Sequence, residues 1–112
     1  MHKLVMLKKT DEFSSVFSFR KRFSSPFFVV HYMPNLQSQT RVGFVVAKRV
    51  ARLAVERNYM RRVMREYCRH LGQKLPVDVV IQVQKKFEHN DYATVKHELN
   101  LLFEKLEKKL SA

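Results

Sequence analysis

The chain has 112 residues, of which 22 are Lys or Arg and 10 are Asp or Glu, so its formal net charge is +12. Its 46% hydrophobic content is too apolar for a wholly disordered chain, and its length fits one domain over residues 1–112, ordered over about residues 4–108. Such an excess of positive charge favours a polyanionic partner, either nucleic acid or an anionic membrane surface. The apolar stretches are far shorter than the ~18 residues of a membrane span, and the first residues lack a secretory segment. We therefore expect a cytoplasmic protein with no membrane partner.

The residue types that usually carry metal or nucleotide chemistry are sparse. One cysteine, Cys68, excludes an internal disulfide and is too few for a structural zinc site. The five histidines are scattered, without the i, i+4 pair of a helical metal site. Gly43 stands alone, without the further glycines of a phosphate-binding loop. We predict no protein-borne metal and no small-molecule substrate.

The first half of the chain predicts one helix and two strands. Residues 11–19 place Phe13, Val16 and Phe17 on one helical face, with Thr10 in position to cap the helix. Residues 27–33 and 41–47 are rich in aromatic and β-branched side chains, which is typical of strands. The segment between them has no apolar periodicity, so a hairpin is the simplest connection.

The second half predicts a helix, a strand and a helix. Apolar residues recur at helical spacing over residues 55–71, and Gly72 follows as a C-terminal stop. Residues 77–83 form an apolar stretch between two helices, as a strand of a βαβ unit does. Asn90 is in position to cap a last helix that frays after about Lys108. The apolar stripe of this helix contains Val95, Leu99, Leu102, Phe103, Leu106 and Leu110.

The helix over residues 55–71 has an unusual concentration of positive charge. In a helical projection at ~100° per residue, five arginines and one asparagine lie within an arc of about 140° opposite the apolar stripe: Arg57, Asn58, Arg61, Arg62, Arg65 and Arg69. Like charges at i, i+4 destabilise a helix, and guanidinium groups form two-pronged hydrogen bonds to phosphate. Lys48, Arg49 and Arg52 extend the patch toward the helix start. A solvated polar face is the ordinary alternative, but Glu66 is the only acid in residues 57–71, so we predict an RNA-contacting surface.

Two further groups of residues allow more than one interpretation. Aromatic side chains of the first helix and first strand either form core or line a groove for stacked bases, flanked by residues 20–22 and Lys48. Taken singly, each phenylalanine is more typical of core. The pairs Asp91 with Glu98 and Glu104 with Glu107 have the spacing of surface salt bridges, and we predict no catalytic residue in this chain.

Residues 47–66, AKRVARLAVERNYMRRVMRE, closely resemble the signature of the protein subunit of bacterial ribonuclease P. The core of the signature is Arg57-Asn58, Arg61-Arg62 and Arg65-Glu66. The segments LKKTDEF at residues 7–13 and RVGFVVA at residues 41–47 are also similar to the family, and the resemblance covers about residues 4–106. It implies an α+β fold, a small α/β sandwich of order αβββαβα. It further implies a short strand near residues 21–24. It also implies a left-handed βαβ crossover through the basic helix, whereas such crossovers are usually right-handed.

The resemblance also implies a function. In that family the RNA subunit carries out catalysis, cleaving precursor tRNA with Mg²⁺ to generate the mature 5′ end, and the protein assists as part of the holoenzyme. The resemblance implies RNA-binding roles for two sets of side chains. The catalytic RNA would be contacted by Lys48, Arg49, Arg52, Arg57, Asn58, Arg61, Arg62 and Arg65. The cleft for the 5′ leader of the precursor would contain Phe13, Phe17, His31 and Lys48.

The sequence departs from the family pattern at two positions, and two other functions compete. Tyr59 stands where many members have a basic residue, so it either weakens one RNA contact or replaces it by stacking, and Ala51 stands where some have glycine. A basic ribosomal or nucleoid protein would have a similar composition. A protein-only, metal-dependent nuclease would need clustered carboxylates that the sequence does not supply.

Overall fold

The computed structural model describes residues 4–37, 39–71 and 75–111. In these residues the elements are β1 (Val5–Met6), α1 (Thr10–Phe19), β2 (Lys21–Ser24), β3 (Phe28–Pro34), β4 (Arg41–Val45), α2 (Ala54–Leu71), β5 (Val77–Val83), a 3₁₀ turn (His89–Asp91) and α3 (Tyr92–Ser111). The predicted α+β class and the order αβββαβα, including the short strand β2, are confirmed. The two-residue strand β1, which was not predicted, precedes them. None of the described helices is both long and apolar enough to cross a membrane.

The five strands form one sheet in the order β1-β4-β5-β3-β2. β5 lies in the middle, parallel to β4 and antiparallel to β3. The predicted hairpin of β3 with β4 is therefore wrong. Six of the seven β5 residues are buried, and so apolar a strand is stabilised by neighbours on both edges and helices on both faces. The predicted βαβ unit is present as β4-α2-β5, while the left-handed sense of its crossover remains a prediction.

The sheet has a helical layer on each face. On one face, α2 and α3 cover the larger core, in which β3 contributes Phe28, Val30 and Tyr32. On the other face, α1 packs on a smaller cluster that includes Val16 and Val80. The side-chain alternation of β3 directs His31 toward this second face. The fold therefore separates a face covered by two helices from a more open face beside α1.

Three predicted helix boundaries differ from the structure. The N-cap of α1 is Lys9, so Thr10 is the first helical residue and not the cap. Asn90 lies inside the 3₁₀ turn that precedes α3, so it is not the N-cap of that helix. Helix α3 continues to Ser111 instead of fraying after Lys108, because its apolar stripe packs on the core along its length. The stop predicted at Gly72 lies outside the described residues.

An ion-pair network attaches the start of α1 to the sheet. The Arg41 guanidinium donates to both carboxylate oxygens of the buried Asp78, at 2.8 and 2.6 Å, and to Glu12 at 2.8 Å. The other Glu12 oxygen accepts from the backbone amides of Lys9 and Lys8, each at 2.9 Å. These two amides, with Arg41, lower the pKa of Glu12 from 4.5 to about 2. The network therefore fixes α1 over the second face of the sheet.

Glu98 has a structural role that its sequence position did not suggest. The sequence placed it on the exposed face of the last helix, whereas its side chain is buried. One carboxylate oxygen accepts from the Ser25 hydroxyl at 2.5 Å and from the Phe27 backbone amide at 3.0 Å. A buried carboxylate is stable only where donors compensate its lost hydration. Glu98 thus ties the β2–β3 connection to α3.

Candidate nucleic-acid interface

Helix α2 divides into a buried stripe and a cationic face. Met60, Val63 and Met64 are buried in the larger core. Asn58, Arg62 and Arg65 are exposed, while Arg57 and Arg61 are partly exposed. The prediction that this helix packs by its apolar stripe and still presents its basic arc is confirmed.

The acids around α2 are already engaged with particular cations. Glu66 pairs with Arg69 at 2.9 Å, and Glu56 pairs with Lys86 at 2.8 Å. The hydrogen bond from Lys86, followed by one from the Leu53 amide, lowers the pKa of Glu56. Within the described part of the chain, the ion pairs do not include Arg61, Arg62 or Arg65. These three guanidinium groups therefore remain available to an external anion.

Arg57 has an intramolecular role in addition to its charge. Its Nη1 donates to the carbonyl oxygens of Ala51 at 2.9 Å and Arg52 at 3.0 Å. Both carbonyls belong to the connection between β4 and α2. A guanidinium has five N–H donors, and the hydrogen bonds of Arg57 to the described residues use Nη1, so Nη2 and Nε can meet a phosphate. Arg57 thus organises the connection that carries the other basic residues.

The β4–α2 connection presents three cations beside the helix start. The Ala47 carbonyl accepts from the backbone amides of Val50 and Ala51, which closes a turn. Lys48 and Arg49 lie at the tip of this turn and are exposed, as is Arg52. Together with the cationic face of α2 they form one patch, which we call the basic patch: Lys48, Arg49, Arg52, Arg57, Asn58, Arg61, Arg62 and Arg65.

A cleft lies beside α1 on the second face of the sheet. The Phe17 ring contacts His31 edge-on, with centroids 4.5 Å apart. His31 Nε2 lies 2.9 Å from the side-chain oxygen of Gln82, which fixes the orientation of the imidazole. The Phe13 ring lies against β4 at Gly43, where an added Cβ would approach the ring to 2.5 Å. Glycine is thus required for α1 to sit this close to the sheet.

The cleft continues into an open groove with a cavity volume of about 600 Å³. The groove is lined by Arg22, Val29, Arg49, Val50, Gln82, Val83, Gln84 and Lys86. Gln82 belongs to both the cleft and the groove. The sequence did not predict it as a site residue, because its only signal was a polar interruption of an apolar strand. Arg49, predicted for the catalytic-RNA surface, faces this groove as well.

The four predicted cleft residues are only partly brought together. Phe17 and His31 are in contact, and Phe13 lies one helical turn earlier on α1. Lys48 has no contact with these three side chains among the described interactions. It lies at the turn tip next to Arg49, which supplies the groove with positive charge. Lys48 remains a prediction for the cleft.

The described residues include no group of three or more His, Cys, Asp or Glu able to hold a metal ion. Burial raises the pKa of the Cys68 thiol to about 12. Cys68 is therefore a protonated core side chain, since only the thiolate is a good nucleophile or metal ligand.

The fold and this distribution of side chains define a small α+β protein with a cationic helix face and an aromatic cleft on opposite sides of one sheet. The family model described as Ribonuclease P matches residues 1–107, and the chain belongs to this family. The Ribonuclease P protein component of Chromobacterium violaceum is 46% identical over 101 residues, which cover 89% of this chain and 84% of the relative.

Solved structures agree with this assignment. The RNase P protein from Thermotoga maritima is 31% identical and superposes with a TM-score of 0.76, covering 87% of this chain and 94% of that one. The Staphylococcus aureus RNase P protein superposes with a TM-score of 0.79 over 91% of this chain and 94% of that one. At 21% identity the latter supports the fold alone.

Proposed function

We propose that this chain is the protein component of a ribonuclease P ribonucleoprotein and assists removal of the 5′ leader from precursor tRNA. In this proposal the basic patch binds the catalytic RNA and the cleft beside α1 binds the leader. The RNA carries out the cleavage with Mg²⁺, and the chain contributes no catalytic residue. The complex works in the cytoplasm, and neither a membrane nor a small-molecule substrate takes part.

The observation that carries the proposal is the cationic face of α2. Arg61, Arg62 and Arg65 have no ion-pair partner among the described residues, and their helix is fixed to the core by its opposite side. Repulsion between such neighbours is relieved when phosphates bind, and counterion release from the RNA then favours association. Membership in the Ribonuclease P family makes the family's RNA subunit the natural polyanion.

The leader is assigned to the cleft on chemical grounds. Phe17 offers a partly exposed ring, Gln82 offers a polar group held by the buried His31, and Arg22 and Arg49 supply positive charge. Unpaired nucleotides bind such surfaces by stacking bases on aromatic rings while cations follow the backbone. The cationic face of α2 and the cleft beside α1 lie on different sides of the sheet, and the two proposed surfaces meet at Arg49, so one chain can contact both RNAs at once.

The protein has a simple physical effect in this proposal. Two RNAs repel each other strongly, and a chain of net charge +12 reduces that repulsion. Less Mg²⁺ is then needed to bring substrate and catalytic RNA together.

The test is the salt dependence of binding to the cognate catalytic RNA. Removing two phosphate contacts with Arg61→Ala and Arg65→Ala together should weaken binding and lower the magnitude of the log–log slope by roughly 1.4–1.8. The matched control removes two exposed cations from α3, Lys105→Ala and Lys108→Ala, and should leave the slope nearly unchanged. Equal slopes for the double α2 variant and the unmodified protein would remove α2 from the interface.

A further inference from the structure

A small pocket lies where the start of α2 meets the segment that follows β5. It has a cavity volume of about 200 Å³ and is lined by Val55, Glu56, Tyr59, Lys86, Phe87, Glu88 and His89. The pocket borders the basic patch but is largely apolar and aromatic, so phosphate binding does not account for it.

Two of the lining residues, Tyr59 and His89, form a pair of aromatic rings in contact with each other. The ring centroids of Tyr59 and His89 are 4.3 Å apart, with an interplanar angle of 47°. The buried Phe87 contacts the Tyr59 ring edge-on, with centroids 6.2 Å apart, and so helps to hold the tyrosine ring in place. His89 is exposed and Tyr59 is only partly covered. The pair is therefore preformed and open to solvent.

Apolar side chains are exposed at the pocket and just before it in the chain. Val55, which lines the pocket, is 69% exposed, and Leu53, two residues earlier, is 59% exposed. Single exposed apolar residues are ordinary, but a group beside two aromatic rings marks a binding surface. An apolar, aromatic surface that borders the basic patch matches a nucleotide, which has flat apolar faces on its base and negative charge on its phosphate.

Two acids, Glu56 and Glu88, line the pocket, and the exposed Glu88 has no ion-pair partner among the described residues, so a phosphate has to lie away from it. Glu56 is paired with Lys86 at 2.8 Å and also accepts from the Leu53 amide at 3.2 Å. Arg62 lies one helical turn beyond Tyr59 and is exposed. A phosphate attached to a base in the pocket would therefore meet Arg62.

We propose that this pocket binds one unpaired nucleobase of the RNA that docks on α2, stacked against the Tyr59–His89 pair. The inference rests on the proposed function and adds to it a contact that charge does not supply. Tyr59 contributes stacking at the border of the basic patch, and that contact is independent of salt because it neutralises no phosphate.

The first test compares variants at Tyr59 in binding to the cognate catalytic RNA. Tyr59→Leu, which keeps an apolar contact with Phe87, should weaken binding roughly 5- to 100-fold with an unchanged salt slope. Tyr59→Phe retains the ring and should bind within about 2-fold of the unmodified protein. Unchanged affinity of Tyr59→Leu, or a slope lowered as for a lost phosphate contact, overturns the inference.

The second test does not depend on how well the leucine variant folds. The chain contains no tryptophan, so Tyr59→Trp introduces a single tryptophan at the pocket, whose fluorescence can be excited selectively. Adding the catalytic RNA should quench its fluorescence by stacking, while Leu101→Trp on the exposed side of α3 should not be quenched. Absence of quenching at position 59 while RNA is bound overturns the inference and leaves the proposed function standing. Failure of the unmodified protein to bind the RNA overturns both.

Discussion

Replacing Arg57 separates its two roles, because its hydrogen bonds to the chain can be lost while a charge is kept. Arg57→Ala removes both Nη1 bonds to the Ala51 and Arg52 carbonyls. A hydrogen bond from a charged group contributes about 1.5–3 kcal/mol, and partial exposure of the guanidinium reduces this. We expect the β4–α2 connection to lose about 2 kcal/mol of local stability.

Hydrogen exchange measures that loss directly. The amides of Val50 and Ala51 are bonded to the Ala47 carbonyl within the same connection. A loss of about 2 kcal/mol should speed their exchange roughly 30-fold in Arg57→Ala, while amides of β5 are unaffected. Unchanged exchange at Val50 and Ala51 would refute the assignment of Arg57 to holding this connection.

The lysine variant then connects the structural role to RNA binding. Arg57→Lys keeps the charge but has a shorter side chain, whose ammonium does not reach the position from which Nη1 donates to both carbonyls. It should weaken binding to the catalytic RNA more than Arg62→Lys, an exposed position on the same helix, with little change in salt slope. Equal effects at the two positions would mean that Arg57 acts only as a phosphate contact.

Three further predictions follow from the second face of the sheet. Because the folded pKa of Glu12 is about 2, below its ordinary 4.5, its stabilising effect is complete above pH 4.5 and is lost as the pH falls toward 2. The difference in unfolding free energy between the unmodified protein and Glu12→Gln should therefore be largest near neutral pH and vanish near pH 2, and a difference independent of pH would contradict this. Gly43→Ala places a Cβ 2.5 Å from the Phe13 ring and should cost about 1–3 kcal/mol in urea unfolding, whereas a neutral effect would mean that α1 shifts freely. Phe17→Ala should weaken holoenzyme binding of precursor tRNA roughly 5- to 100-fold and leave mature tRNA, which lacks the leader, unaffected. Equal losses for both RNAs would remove Phe17 from the leader cleft.

The sequence predicted the elements whose signal is local. β5 was assigned over the residues that it occupies, and the two faces of α2 followed from its 3.6-residue period. The strand β2 came only from the family resemblance, because the exposed, basic segment Lys21–Ser24 has little strand signal of its own. The two-residue strand β1 exists only through its pairing with β4.

The errors arose where the structure depends on partners distant in the chain. The hairpin between β3 and β4 was inferred from proximity in sequence, whereas β5 inserts between them. Glu98 has the helical position of a surface acid, and its burial depends on Ser25 and Phe27, over 70 residues earlier. The two carbonyl bonds of Arg57 likewise depend on the path of a connection that has no periodic signal. Sequence patterns encode which side of a helix is buried, but not which distant group a polar side chain meets.

The central claim is that this chain assists an RNA enzyme, and reconstitution tests it most directly. The cognate catalytic RNA is incubated with 5′-labelled precursor tRNA at a magnesium concentration where the RNA alone cleaves slowly, with and without the purified protein. The account predicts faster cleavage at the mature 5′ end when the protein is added, a reduced effect with Arg61→Ala and Arg65→Ala together, and no cleavage by the protein without the RNA. No acceleration by the unmodified protein, or cleavage by the RNA-free protein, would contradict it.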